Sequence, residues 1–104
     1  MAPEQKKKIL KLFKNENLAV LGYIHEDQPR SAVIDFSETE NLEIIFTTLI
    51  SYRKYKNLKK NPKVSFSFGG KNSITIQYEG EAKELSRVAF LPHLKYHIQK
   101  MPWN

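Results

Sequence analysis

Hydrophobic residues near the amino terminus recur at helical spacing. Ile9, Leu10, Leu12 and Phe13 form an apolar stripe opposite a row of lysines, and Pro3 suits a first helical turn, so a helix is predicted over Pro3 to Asn15. The period then changes. Leu18 to His25 is apolar and β-prone, Glu26-Asp27-Gln28-Pro29 has turn composition, and Arg30 to Ser37 reads as a second strand. A polar hairpin from Glu38 to Asn41 leads to a third strand, Leu42 to Thr48, rich in β-branched residues. Ser51 to Asn61 returns to helical spacing, with Tyr55 and Leu58 inward and Pro62 as the stop. Lys63 to Phe68 alternates strictly, and Gly69-Gly70-Lys71-Asn72 turns the chain into a longer strand, Ser73 to Leu85. Ser86 to Met101 is the last helix, capped by Ser86. Pro92 within it predicts a kink or two short helices, because proline cannot donate the helical hydrogen bond.

The order helix, three strands, helix, two strands, helix predicts a mainly β fold, a small barrel with α-helices, in one domain spanning 1–104. Five strands in so short a chain leave sheet edges and an apolar face uncovered, and a homodimer is the expected way to hide both.

Composition narrows the chemistry. Cysteine is absent, which excludes disulfides, thiolate metal sites and thiol catalysis. No apolar run approaches the roughly 20 residues of a membrane span, and the amino terminus lacks the unbroken apolar block of a signal peptide, so a cytoplasmic location is expected. The net charge is +6, and its distribution says more than its size. Residues 1–14 hold five lysines against one glutamate, residues 15–51 hold seven acids against Arg30, and residues 52–63 hold six basic residues and no acid. Such a block points to a localised anion site.

The segment Thr47-Thr48-Leu49-Ile50-Ser51-Tyr52-Arg53-Lys54 carries that site. It joins a strand end to a helix start, where unpaired N–H groups and the positive end of the helix dipole stabilise an anion. Hydroxyls at 47, 48 and 51 can donate to phosphate oxygens, Arg53 can form a two-pronged bond, and Lys54 adds a point charge. A hydroxyl-capped helix with a solvated basic face would produce the same local pattern.

The run Phe46-Thr47-Thr48, Ser51-Tyr52-Arg53-Lys54, Asn57-Leu58 and Asn61-Pro62-Lys63-Val64-Ser65 resembles the FMN-binding split-barrel family, the pyridoxamine-phosphate-oxidase-like proteins. Leu18 to Tyr23 followed by Gln28-Pro29-Arg30-Ser31-Ala32-Val33 is similar to the first hairpin of that family, and Tyr78-Glu79-Gly80-Glu81-Ala82 to its G-x-A strand. The resemblance implies a split β-barrel with FMN at a dimer interface. It implies that Ala32, Val33 and Ile34 line the flavin ring with backbone groups, and that Thr48, Ser51, Arg53 and Lys54 grip the phosphate. Thr47 and Tyr52 complete that loop, and Thr75 falls near the position from which the partner subunit faces the flavin. Two departures stand out. Tyr52 occupies the place before Arg-Lys where the family often has serine, with Ser51 one place earlier. The chain also stops at Asn104, whereas the true oxidases continue into strands that carry their substrate-binding Arg and His, so pyridoxamine phosphate oxidation is not expected.

The implied function is a flavin-dependent oxidoreductase with a small-molecule substrate or electron donor that the residues do not specify. No catalytic residue is assigned; Asp35 is the only acid near the ring strand. A non-catalytic flavin carrier or sensor is the alternative, as is a basic nucleic-acid-binding barrel in which Tyr52, Tyr55 and the surrounding cations contact a single strand. F420 and heme are the alternative cofactors. His93 and His97, four apart, have metal-ligand spacing but no obvious third ligand, so no metal is assigned. His25 beside Glu26 and Asp27 fits a turn, and Trp103 fits either a flavin contact or a terminal hydrophobic plug.

Overall fold

A computed structural model describes residues 1–48, 53–69 and 74–101. The elements are α1 (Pro3–Lys14), β1 (Leu18–His25), β2 (Gln28–Asp35), β3 (Ser37–Glu38), β4 (Ile44–Ile45), α2 (Arg53–Lys60), β5 (Lys63–Gly69), β6 (Thr75–Glu81) and α3 (Arg87–Lys100). The expected alternation of helix and strand is present, with finer divisions. The predicted second strand breaks at Phe36 into β2 and β3, and the third shrinks to the two residues of β4.

Four strands form an antiparallel sheet in the order β2-β1-β5-β6, and β3 and β4 pair separately. β1 meets β2 from Leu18↔Asp35 to His25↔Gln28 and meets β5 at Leu21↔Phe66; β5 meets β6 from Lys63↔Glu81 to Gly69↔Thr75. The sheet is open. A β3–β4 ladder of two residues per strand is too short to bridge its edges.

The turn between β1 and β2 is tighter than its composition suggests. Glu26 and Asp27 alone make it, both with left-handed backbones (φ 50° and 61°), the geometry that matches strand twist in a two-residue hairpin. Gln28 and Pro29 therefore belong to β2. Proline is tolerated there because β2 is an edge strand and its missing N–H costs no ladder bond. At the other end, Gly69 (φ 131°) closes β5 where a Cβ would lie 2.3 Å from the Ile74 carbonyl oxygen.

One face of the sheet builds the core. Val64, Phe66 and Phe68 alternate inward along β5 as predicted, joined by Ala19, Leu21 and Ile34. Helix α1 drives Phe13, only 1% exposed, into this face, 4.6 Å from the Phe68 ring centroid; Phe36 lies 4.8 Å from the same ring. The opposite face is uncovered; its β1–β2 part is apolar, with Leu18, Val20 and Val33 exposed, and its β5–β6 part is polar, with Ser65, Ser67, Gln77 and Glu79.

Helix α3 runs continuously through Pro92, so of the two expectations there the division into two short helices does not occur. Ser86 caps it as predicted, its Oγ accepting from the Ala89 N–H at 3.1 Å. The carbonyl that Pro92 leaves without a helical donor belongs to Val88, which is 79% exposed and can be satisfied by water.

Truncating the central aromatic tests the arrangement. Phe13→Ala should cost about 3–5 kcal/mol by denaturant unfolding, a large share of the stability of a small domain. A loss below about 1 kcal/mol would mean that α1 does not hold the core together.

Candidate functional site

The described residues on either side of the junction between β4 and α2 include Thr47, Thr48, Arg53 and Lys54, four of the residues that the sequence singles out. Phe46 leaves β4 and packs edge-on to Phe66 at 5.7 Å, which fixes the strand exit. Thr47 follows, exposed, and Thr48 is half-buried. The Thr48 Oγ1 is enclosed and has no hydrogen-bond partner among the described residues. Ser51 and Tyr52 lie outside the described residues. Arg53 opens α2 and is exposed, with Lys54 half-buried behind it.

This helix start is electrostatically inverted. Acidic residues stabilise a first turn, where the dipole is positive, yet α2 has none and begins with two cations. An anion bound there would relieve that repulsion. It could also accept the Thr48 hydroxyl, whose burial without a partner costs roughly 1–3 kcal/mol.

Polar contacts hold α2 against the sheet. Asn57 is buried, 7% exposed, and its Oδ1 accepts from His25 Nδ1 at the end of β1, at 2.8 Å. That bond places the His25 proton on Nδ1 and leaves the Asn57 Nδ2 buried and unpaired. On the outer side, Glu84 accepts from Tyr55 Oη at 3.0 Å and from Lys59 Nζ at 3.0 Å. These two bonds, Lys59 first, hold the Glu84 carboxyl below its ordinary range. Leu58 packs on the core, Pro62 ends the helix, and the Pro62 carbonyl accepts from Ala82 N–H at 2.8 Å, tying the helix exit to β6.

The proposed ring-lining residues sit elsewhere on the sheet. Ala32, Val33 and Ile34 pair with Leu21, Val20 and Ala19 on edge strand β2. Ile34 is buried in the core and Ala32 is half-buried, while Val33 stands 65% exposed on the opposite face. An edge strand keeps unpaired backbone groups, as a ring contact through the main chain requires. Thr75 is exposed at the start of β6, three strands from β2. At about 4.8 Å per strand, roughly 14 Å separates them within one chain. Thr75 is therefore not brought together with Ala32–Ile34 by this fold alone.

Two polar clusters were missed in the sequence reading. Asn57 had a signal, as the one short uncharged polar residue in a lysine-rich helix, on the arc that also carries Leu58. The other cluster joins Ser37 and Glu38 to Tyr96, His97 and Lys100. Glu38 looks like a turn residue by composition, and His97 like a metal ligand. His97 is instead taken by Ser37, and among the described residues no group of three or more His, Cys, Asp or Glu could hold a metal ion.

The pyridoxamine 5'-phosphate oxidase family model matches residues 5–100. No curated protein matches the chain. Solved structures do. A Listeria innocua protein named for pyridoxamine 5'-phosphate oxidase superposes with a TM-score of 0.79 at 18% identity, over 92% of this chain and 78% of that one. An FAD-binding protein of Mesorhizobium loti gives 0.70 at 13% identity, over 92% and 70%. An F420 reductase gives 0.70 at 18% identity, over 86% and 73%. The architecture is thus that of the split-barrel neighbours. Across eight such structures the chain spans from 45% to 78% of the neighbour's length.

The unpaired hydroxyl gives a direct test. Thr48→Val keeps the shape and deletes the orphaned group, so the ligand-free chain should gain about 1–3 kcal/mol in denaturant unfolding. Inorganic phosphate should then protect the variant less than the parent in a thermal-shift titration. A variant less stable than the parent would show that the hydroxyl already has a partner.

Proposed function

The chain belongs to the pyridoxamine 5'-phosphate oxidase family, and we propose that it is an FMN-binding protein that holds the cofactor by its phosphate at the start of α2 and works as a homodimer. The observations that carry this reading are a helix start bearing Arg53 and Lys54 without an acid and, five residues earlier in the chain, an enclosed Thr48 hydroxyl with no hydrogen-bond partner among the described residues. Those residues suit a dianionic phosphate: a planar two-pronged donor, a point charge, a hydroxyl and free helix N–H groups. Ser51 completes the set by its place in the sequence.

The bound flavin would supply hydride or electron transfer. The protein's part is to anchor and orient. Arg53 and Lys54 neutralise the phosphate, and the His25–Asn57 bond keeps α2 fixed to the hairpin whose second strand carries Ala32–Ile34. Backbone groups on the free edge of β2 are suited to the polar rim of the ring, and Val33 gives it an apolar contact.

What one chain leaves open supports the homodimer. Leu18, Val20 and Val33 form an exposed apolar face on the sheet, and Thr75 reaches a ring on β2 only from a second copy. A small molecule reduced or oxidised beside the flavin is the substrate class this assembly suits. Among the described residues, no helix is long and apolar enough to cross a membrane.

The test is an absorbance titration of purified protein with FMN, combined with light scattering for mass. Flavin bands that shift on binding, and a mass of two chains, are expected. Arg53→Ala and Lys54→Ala should each weaken FMN about 10- to 100-fold, the loss of a charge-assisted hydrogen bond. No binding at saturating FMN would overturn the reading, and titrations with F420 and heme would then identify the alternative cofactor.

A further inference from the structure

Helix α3 turns its polar side inward. Val88, Leu91 and Ile98 are exposed, while His97 and the Lys100 side chain are buried. What α3 meets is the short strand β3. His97 Nδ1 and Ser37 Oγ share a hydrogen bond of 2.6 Å, with Ser37 1% and His97 4% exposed. One turn on, the Lys100 ammonium donates to the Glu38 carboxylate and to the Phe13 carbonyl, at 2.8 Å to the latter, and lies 3.9 Å over the Phe36 ring. Tyr96 Oη donates to the second Glu38 oxygen. The carboxyl-terminal half of the helix is therefore docked through a buried polar cluster, with Met101 buried just past its end and Phe90 and Leu94 half-buried along it.

We propose that this docking is an acid-released latch: neutral His97 packs against Ser37 in the closed state, and its protonation frees the carboxyl-terminal half of α3 while the sheet stays folded.

The surroundings of His97 set the direction. Ser37 of β3 faces it, the Phe90 ring of α3 lies edge-on at 6.0 Å, and two charges act on it, Asp35 at the end of β2 and Lys100 of α3. Glu38 is engaged by Lys100 and Tyr96. Burial disfavours the imidazolium most, the Asp35 carboxylate partly offsets this, and the Lys100 ammonium adds to it, so His97 titrates below its ordinary value of 6.5. The sign follows by linkage. Above that value neither docked nor free helix binds a proton at this site, and the latch is closed. Below it the free helix takes a proton that the docked helix refuses, and release is favoured by up to about tenfold per pH unit until the docked value is reached.

Release is local because little apolar surface joins α3 to the rest. Its outward residues are already in water, and its apolar side chains are not among those packed on the Phe13 core, which Lys100 meets at the Phe13 carbonyl and the Phe36 ring. Segments with few buried apolar contacts open below the global unfolding free energy.

Hydrogen exchange of the intact chain by NMR, corrected for intrinsic rates, tests the latch between about pH 7.5 and 5.5, which brackets the free imidazole value. Amides 97–101 should open up to about tenfold more often at the lower pH, with β1 and β5 unchanged. The His97 imidazole, followed in the same spectra, should titrate below about 6.5. His97→Gln, which retains a hydrogen-bonding group without the charge change, should abolish the dependence. A His97 midpoint at or above that value would overturn the proposal, as would α3 and the sheet losing protection together or a pH dependence that survives in His97→Gln. If that variant does not fold, the parent's titration and exchange pattern decide.

Discussion

The packing of Phe13 against Phe36 and Phe68 is the contact on which the rest of the molecule depends. A chain of 104 residues has one modest core to build, and it builds it by pressing one helix onto one face of a four-stranded sheet. Three aromatic rings fill the space where a larger protein would add strands. Because the only amphipathic helix at the front of the chain is spent on that face, the other face keeps Leu18, Val20 and Val33 in solvent. The free edge of β2 and the uncovered face belong to the same arrangement, one helix on one face of an open sheet.

Helix α2 is held differently. Its five basic residues leave it little apolar surface to bury, and Leu58 supplies most of what there is. Fixed geometry at its amino terminus therefore comes from hydrogen bonds: His25 to Asn57 on the inner side, and Tyr55 and Lys59 to Glu84 on the outer. Among the described residues, none of these bonds involves Arg53 or Lys54. A helix anchored from its middle, with cations at its positive end, spends stability that an anion at that end would return.

Strand β5 was legible residue by residue, because Val64, Phe66 and Phe68 face the core and the intervening serines do not. Helix α1 and the cap of α3 were legible from proline, serine and apolar spacing. Legibility failed where long-range pairing decides the outcome. Pro29 carries a turn signal, yet the tight Glu26–Asp27 turn and the tolerance of an edge strand place it in β2. Pro92 signals a break, but Val88 leaves its carbonyl to water and the helix continues. At the candidate site the loop residues could be named from the family pattern, whereas the Asn57–His25 bond joins residues 32 apart in sequence and could not.

The cluster on α3 shows why burial cannot be inferred from hydropathy alone. Replacing a buried ion pair with apolar residues is often neutral or stabilising, so Glu38 and Lys100 are not explained by stability as such. They do impose a geometry. A carboxylate with both oxygens engaged, by Lys100 and by Tyr96, accepts the helix in one register, whereas a leucine face could slide. Placing His97 one turn before Lys100 on the same inward face makes that register depend on a group that must stay neutral. The polar contacts that orient α3 are thus also the ones that leave it responsive to protons, and an apolar interface of the same size would give up both properties.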